Sequence, residues 1–444
     1  MKKNEINMLE GAIFSNIVKV ALPLAFISIL QQFFNAADVA VVGRFASSNA
    51  LAAVGANTPI VNMFLTFFTG LATGGNVAIS MQIGKNEKDK ISSSVHTISL
   101  LAFICSMVLI LVGEVFAHPL LSMIHTPETV FNQALLYLRI YLFAMAFAVI
   151  YNFASAILRS KGDTQRPLYC LIFSGVLNVL LNLFFVIVLH MDVVGVALAT
   201  LISNIVCAFS TFVLLMKEPE PFTLKIRQLG FDYPILRMAL KIGLPAGVQG
   251  MLFSISNIMI QSGINQFGPD CIAGNTAAMN FEFISYFIVA AFGQTVTTFI
   301  SQNYAAGKYD RCRKIFRQSI VGSVLFCLCA SLCFTFFREF WLGLFSTDPN
   351  VLEYATIRMF IVVLLESFTT FNEIPAGGLR GMGISMPPTI IAILGSCVFR
   401  IVWMATIFAW YPTIIVLMLV YPVSWFLISI GQMGTYLYYE KKKV

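Results

Sequence analysis

Residues 158–167 read LRSKGDTQRP, and residues 379–388 read LRGMGISMPP, an offset of 221 in a chain of 444 residues. Shorter matches recur at nearly the same offset. IHTPETV (124–130) answers LFSTDPNV (344–351), LRIY (138–141) answers IRMF (357–360), and ALPLA (21–25) answers GLPAG (243–247). SMQIGK (80–85) likewise answers ISQNYAAGK (300–308). One unit is therefore used twice. The polar, proline-bearing stretch KEPEPFTLKIRQLGFDYP (217–234) joins the copies, which gives units 1–216 and 237–444 with a linker at 217–236.

What each unit is made of follows from composition. The chain is 58% hydrophobic and 11% charged, against roughly 25% charged in soluble domains. It cannot cover a water-facing surface, so its solvent is lipid. Apolar runs reach the roughly 20 residues that a membrane helix needs, and the short alternating segments of a barrel are missing. Twelve spans are predicted, near 15–43, 50–83, 92–117, 130–158, 167–190, 194–216, 238–263, 272–304, 315–337, 350–379, 388–410 and 413–438. The fold class is an all-α integral membrane protein of two six-helix bundles. Six spans per copy give both copies the same orientation, related by a pseudo-twofold axis along the membrane normal. Two bundles facing across a cleft suit a carrier that works by alternating access. The first run is too long for a signal peptide and reads as the first span.

Charge sets the orientation. Lys2, Lys3, Lys19, Lys85, Lys88, Lys90, the basic residues of 159–166, 217–241 and 308–317, Arg380 and Lys441 to Lys443 make 23 of the 28 basic residues, all on one side of the twelve spans. The positive-inside rule places that side, with both termini, in the cytoplasm of a cell-membrane protein. The net charge of +7 is this topology signal and calls for no nucleic acid. Arg139 and Arg358 read as snorkelling near the outer ends of spans 4 and 10.

Chemical motifs are few. AAGKYD (305–310) lacks the first glycine and the hydroxyl of a phosphate-binding loop. His96, His118, His125 and His190 are scattered and make no metal-ligand pair. Most of the nine cysteines lie in apolar runs as small hydrophobes, Cys312 lies in a basic loop, and Cys271 alone approaches the outer face. No cofactor is expected, so uphill movement must draw on an ion gradient.

Asp38 then stands out. Gln31, Asn35 and Asp38 fall at i, i+4 and i+7 and form one polar stripe. Lipid offers no hydrogen bonds, so the stripe must face protein or water, and an intramembrane carboxylate is a functional candidate. The plainer reading pairs Asp38 with Arg44 at the interface. Asn178 and Asn182 share a face of span 5, with Thr200, Ser203 and Asn204 on span 6, as ligands or as interhelical hydrogen bonds. The second half has Glu282, Glu366 and Glu373, and Arg400 deep in span 11. An unpaired buried charge is costly, so Arg400 is expected to pair with one of these glutamates.

These marks together resemble the MATE (multidrug and toxic compound extrusion) transporters. The resemblance rests on LPLAFISILQQFFNAADVAVVGR (22–44), ALAAVG (50–55), the paired LRSKGDTQRP and LRGMGISMPP, and SQNYAAGK (301–308). NFEF (280–283) and FRIVW (399–403) are similar to a bacterial branch. The resemblance implies a cation-coupled antiporter exporting amphipathic, often cationic compounds, with Asp38, Asn178 and Thr200 in a cation-linked network of the first lobe. Asn182 stands where some members carry aspartate, and span 7 has no carboxylate near Phe253, which leaves H⁺ and Na⁺ both open. For a proton, Asp38 is the carrier; for Na⁺, the Asn178 and Thr200 oxygens are hard ligands. A flippase for a lipid-linked saccharide is the alternative, but a pyrophosphate cargo would favour more internal cations than Arg139, Arg358 and Arg400. The expected partners are a small amphipathic substrate, the coupling ion and the bilayer, with the protein a monomer.

Overall fold

The computed structural model describes residues 6–124 and 126–442; Lys2, Lys3, His125 and Lys443 lie outside them. Helices α1 (Ile13–Phe45), α2 (Ser48–Lys85), α3 (Lys88–Met123), α4 (Glu128–Ser160), α5 (Gln165–Leu183) and α6 (Asp192–Met216) form the first six spans. A wider π-helical turn, Phe184–Val188, extends α5. Then come α7 (Tyr233–Asn265), α8 (Pro269–Ala305), α9 (Tyr309–Phe336) and the short α10 (Arg338–Gly343). The remaining spans are assembled from α11 (Pro349–Arg358), α12 (Thr370–Gly381), α13 (Met386–Ile393), α14 (Phe399–Trp403) and α15 (Ile414–Lys441). Eleven helices among the described residues are long and apolar enough to cross a membrane.

The tenth span, expected near 350–379, is the one that departs from a continuous helix. Between α11 and α12 the chain takes a π turn at Met359–Val363 and a 3₁₀ turn at Glu366–Thr369. The following span is continuous but carries π turns at Leu394–Val398 and Met404–Phe408 on either side of α14. The basic loop expected around Cys312 is instead the first turns of α9, and Cys312 is buried there; Cys271, expected near the outer face, is buried at the start of α8.

The repeated motif has a structural cause. Both copies close a helix with a left-handed glycine, Gly162 at φ +89° and Gly383 at φ +82°. The bonds correspond as well. Gly162 and Asp163 donate to the carbonyls of Arg159 and Leu158, as Gly383 and Ile384 donate to those of Arg380 and Leu379. This is the glycine-terminated helix end that caps orphan carbonyls, followed in each copy by the next span.

The chain divides into two compact units, Phe26–Met251 with Ile6, and Asn7–Ala25 with residues 252–442. In the first, α4 lies against α2, α3 and α6. Buried or half-buried amides and a hydroxyl reach across to its backbone: Asn57 to Ala134 O at 3.0 Å, Asn76 to Ala156 O at 3.0 Å, Ser106 to Ala146 O at 2.8 Å and Asn204 to Ala144 O at 3.0 Å. Such bonds join helices where no water competes. The first half of α7 packs on α2 through glycines. A Cβ on Gly74 would come within 2.1 Å of Ala239 O, and one on Gly70 within 2.3 Å of Gly247 N. In the second unit, α8 lies against α9, α11 and α12, and α12 against α15.

The linker is folded onto the first unit. Glu218, whose side chain is fully buried, accepts from Lys161 and Arg166, and Arg166 also pairs with Asp163. Further along, Asp232 binds Lys90 and Ser93 at 2.9 and 3.0 Å, and the Lys225 backbone N–H donates to His96 Nε2 at 3.1 Å.

Candidate functional site

Asp38 sits on α1 and is 6% exposed. Asn182, from α5, donates through Nδ2 to Asp38 Oδ1. Thr200, from α6, lies with Oγ1 at 3.2 Å from Asp38 Oδ2. Asn178 completes the set, donating to Thr200 Oγ1 at 3.3 Å and accepting from Asn182 at 3.2 Å. Three helices thus converge on one carboxylate. All four side chains are buried, and every partner is neutral. The interfacial reading fails, because Arg44 instead lies over the Phe45 ring, 5.9 Å from its centroid. Gln31 is half-buried and Asn35 exposed, and neither joins the hydrogen-bond set. Ser203 bonds the Thr200 carbonyl and Asn204 the α4 backbone, which makes both structural.

The geometry carries a chemical ambiguity of use. Thr200 has one hydroxyl hydrogen and two acceptors, Asp38 Oδ2 and Val196 O at 3.0 Å. With Asp38 ionised, that hydrogen serves the carboxylate. With Asp38 protonated, the acid can donate to Thr200 Oγ1 while the threonine turns to Val196 O. The Asn182 amide oxygen is buried with no partner among the described residues, so a donor or a hard cation would be received there.

The second unit holds the other charges, arranged differently from expectation. Arg358, expected to snorkel, is 2% exposed and pairs with Glu282 at 2.7 and 2.8 Å. Asn275 accepts from the same guanidinium, and Tyr421 lies under it at 5.0 Å. Arg400, expected to pair with a glutamate, bonds Asn257 Oδ1 and Ser424 Oγ instead, at 3.1 and 3.3 Å, and no carboxylate among the described residues. Glu282 is taken by Arg358. Glu366 is within electrostatic range of both arginines but has no bond through Oε2. Glu373 is held apart, beside Tyr286 and near Arg380. Arg139 is exposed, 3.3 Å from the half-buried Glu114. The sequence reading misplaced Arg358 at the surface and missed Asn275. The signal available was NFEF itself, an acid in an apolar helix that needs a cation.

A six-helix unit used twice, with polar clusters buried among long apolar helices, is the build of a polytopic membrane transporter. The chain belongs to the MatE family, whose profile matches each half once, at residues 23–184 and 245–406. It is 28% identical over 392 residues to the probable multidrug resistance protein YoeA of Bacillus subtilis, covering 84% of this chain and 82% of that protein. With YpnP of the same organism, also a probable multidrug resistance protein, it shares 25% over 402 residues, 90% of each chain. Its fold matches an outward-facing multidrug resistance MATE transporter with a TM-score of 0.91 at 20% identity, over 100% of both chains.

Proposed function

We propose that the protein is a cation-coupled antiporter that exports amphipathic, often cationic, small molecules across the cell membrane by alternating access. It works as a monomer with both termini in the cytoplasm. The repeated lobes are 1–216 and 237–444, joined by the linker 217–236. The relatives' multidrug resistance names support the substrate class. The observation that carries the coupling reading is the buried Asp38 carboxylate with only neutral partners. A charge so placed is costly, and a proton or a Na⁺ ion offsets it. For Na⁺, the ligand oxygens are those of Asp38, Asn178 and Thr200, with the unpartnered Asn182 amide oxygen added to them. The two acceptors of Thr200 favour a proton, since both protonation states keep satisfied hydrogen bonds. Moving the proton redistributes those bonds among α1, α5 and α6, and Pro23 already deprives α1 of one backbone bond.

The test uses purified protein in liposomes loaded with ethidium, with ΔpH and the Na⁺ gradient imposed separately. Efflux should follow ΔpH without Na⁺. A strict Na⁺ requirement with no response to ΔpH removes the proton, and no efflux under either gradient removes the antiporter reading.

A further inference from the structure

Among the described residues, Arg400, unlike its neighbour Arg358, is bonded to no carboxylate. Nη1 and Nε are held by Asn257 and Ser424, while Nη2 is buried and has no partner among the described residues. The Phe253 and Tyr421 ring centroids lie 5.2 and 4.8 Å from its Cζ. Arg358, on the same Tyr421 ring, is neutralised by Glu282. The two arginines are therefore not equivalent. Ring contacts and neutral hydrogen bonds offset part of the cost of burying Arg400, and Glu366 acts on it only through space, so Nη2 is left as an unused donor.

The surrounding backbone is adapted as well. π turns bracket Arg400 at Leu394–Val398 and Met404–Phe408. Another precedes Glu366, at Met359–Val363. Such turns concentrate at functional sites. Asn257 and Phe253, which cover the guanidinium, are only half-buried.

We propose that Arg400 is the receptor for an acidic group on the transported solute, so that the cargo includes aromatic carboxylates and zwitterions. The acid takes the free Nη2 edge, in the geometry guanidinium offers carboxylates, and the ring lies beside Phe253. Asn257 and Ser424 orient the fork. This inference rests on the transporter reading and narrows its substrate class.

The experiment is calorimetric titration of the full-length protein with 2-naphthoate and with 2-naphthamide, its neutral counterpart. Wild type should bind the acid about tenfold more tightly, the difference a charge-assisted hydrogen bond typically makes. Arg400→Gln should erase that preference, and Arg400→Lys should keep part of it. Asn257→Asp tests the same point with the guanidinium left in place, because it supplies an internal carboxylate that competes for it. Its preference for 2-naphthoate should also vanish. Equal affinity of wild type for the two probes, or an unchanged preference in folded Asn257→Asp, overturns the proposal; a guanidinium satisfied by buried water alone would give that result. Gradient-driven ethidium efflux by wild type separates the two readings, since its loss with the naphthoate preference intact sinks the antiporter and leaves the acid site.

Discussion

Asp38 is bonded only by amides and a hydroxyl, and asparagine has almost its shape. Asp38→Asn should therefore leave folding and expression intact while abolishing gradient-driven efflux. Wild-type efflux rates in that variant would make Asp38 structural. Arg358 and Glu282 call for a different measurement. Removing one partner of a buried pair typically costs about 3–5 kcal/mol, so Arg358→Leu and Glu282→Leu should each lower the melting temperature by several degrees. The double substitution should recover part of the loss. A cycle between positions 400 and 366 should show weaker coupling, because those side chains form no bond; equal coupling there would contradict the pairing described. Asp38 was legible because a carboxylate on a polar stripe has few places to go in lipid. Its partners were half legible: Asn178, Asn182 and Thr200 were recognisable as polar positions on neighbouring spans, whereas which of them touches Asp38 depends on helix rotation. Arg358 was misjudged for a related reason. Distance from the end of an apolar run measures depth only if the helix is unbroken and no acid waits for it, and Glu282 lies 76 residues away.

Among elements, the α2–α7 contact offers the sharpest packing test. With a Cβ on Gly74 at 2.1 Å from Ala239 O, backbone must move, since no flexible side chain is there to yield. Gly74→Ala should cost more than the 1–3 kcal/mol typical of overpacking, read as a lower melting temperature in detergent. Gly434, with open space around its Cβ position, is the control: Gly434→Ala should change little. The twelve spans themselves were legible, because the bilayer demands a long apolar run for each helix. Irregular turns were not. A π turn adds one residue to a helical circuit without altering composition, so IRMFIVVLLESFTTF reads as continuous helix and folds as an interrupted one.

At the scale of the whole molecule, the linker knot is the main non-membrane device. Burial alone would push the Glu218 carboxyl up, but the hydrogen bonds and charges of Lys161 and Arg166 hold it below the usual carboxylate range. A depressed pKa means stability that is complete above the ordinary carboxylate range and lost as pH falls through the folded value. Glu218→Gln should accordingly destabilise the protein by about 3–5 kcal/mol near neutral pH. The gap in melting temperature from wild type should close on acidification, and a gap constant down to strong acid would remove the ion pair as its cause. The position of the linker was visible in its prolines and charges, but its attachment to the first unit was not, since His96 and Lys161 gave no sign of their distant partners.

The first half of α7 belongs with Phe26–Met251, and Asn7–Ala25, which includes the start of α1, belongs with the later residues. The ancestral seam of the duplication is thus no longer a place where the chain can be cut into free-standing pieces. A fragment ending at residue 216 would leave the backbone notch made by Gly70 and Gly74 unfilled, and its complement would carry a helix start with nothing to dock on. Two half-genes expressed together could rebuild the protein only by reassembling across both exchanges, whereas either half-gene alone would yield a product for the cell's proteases.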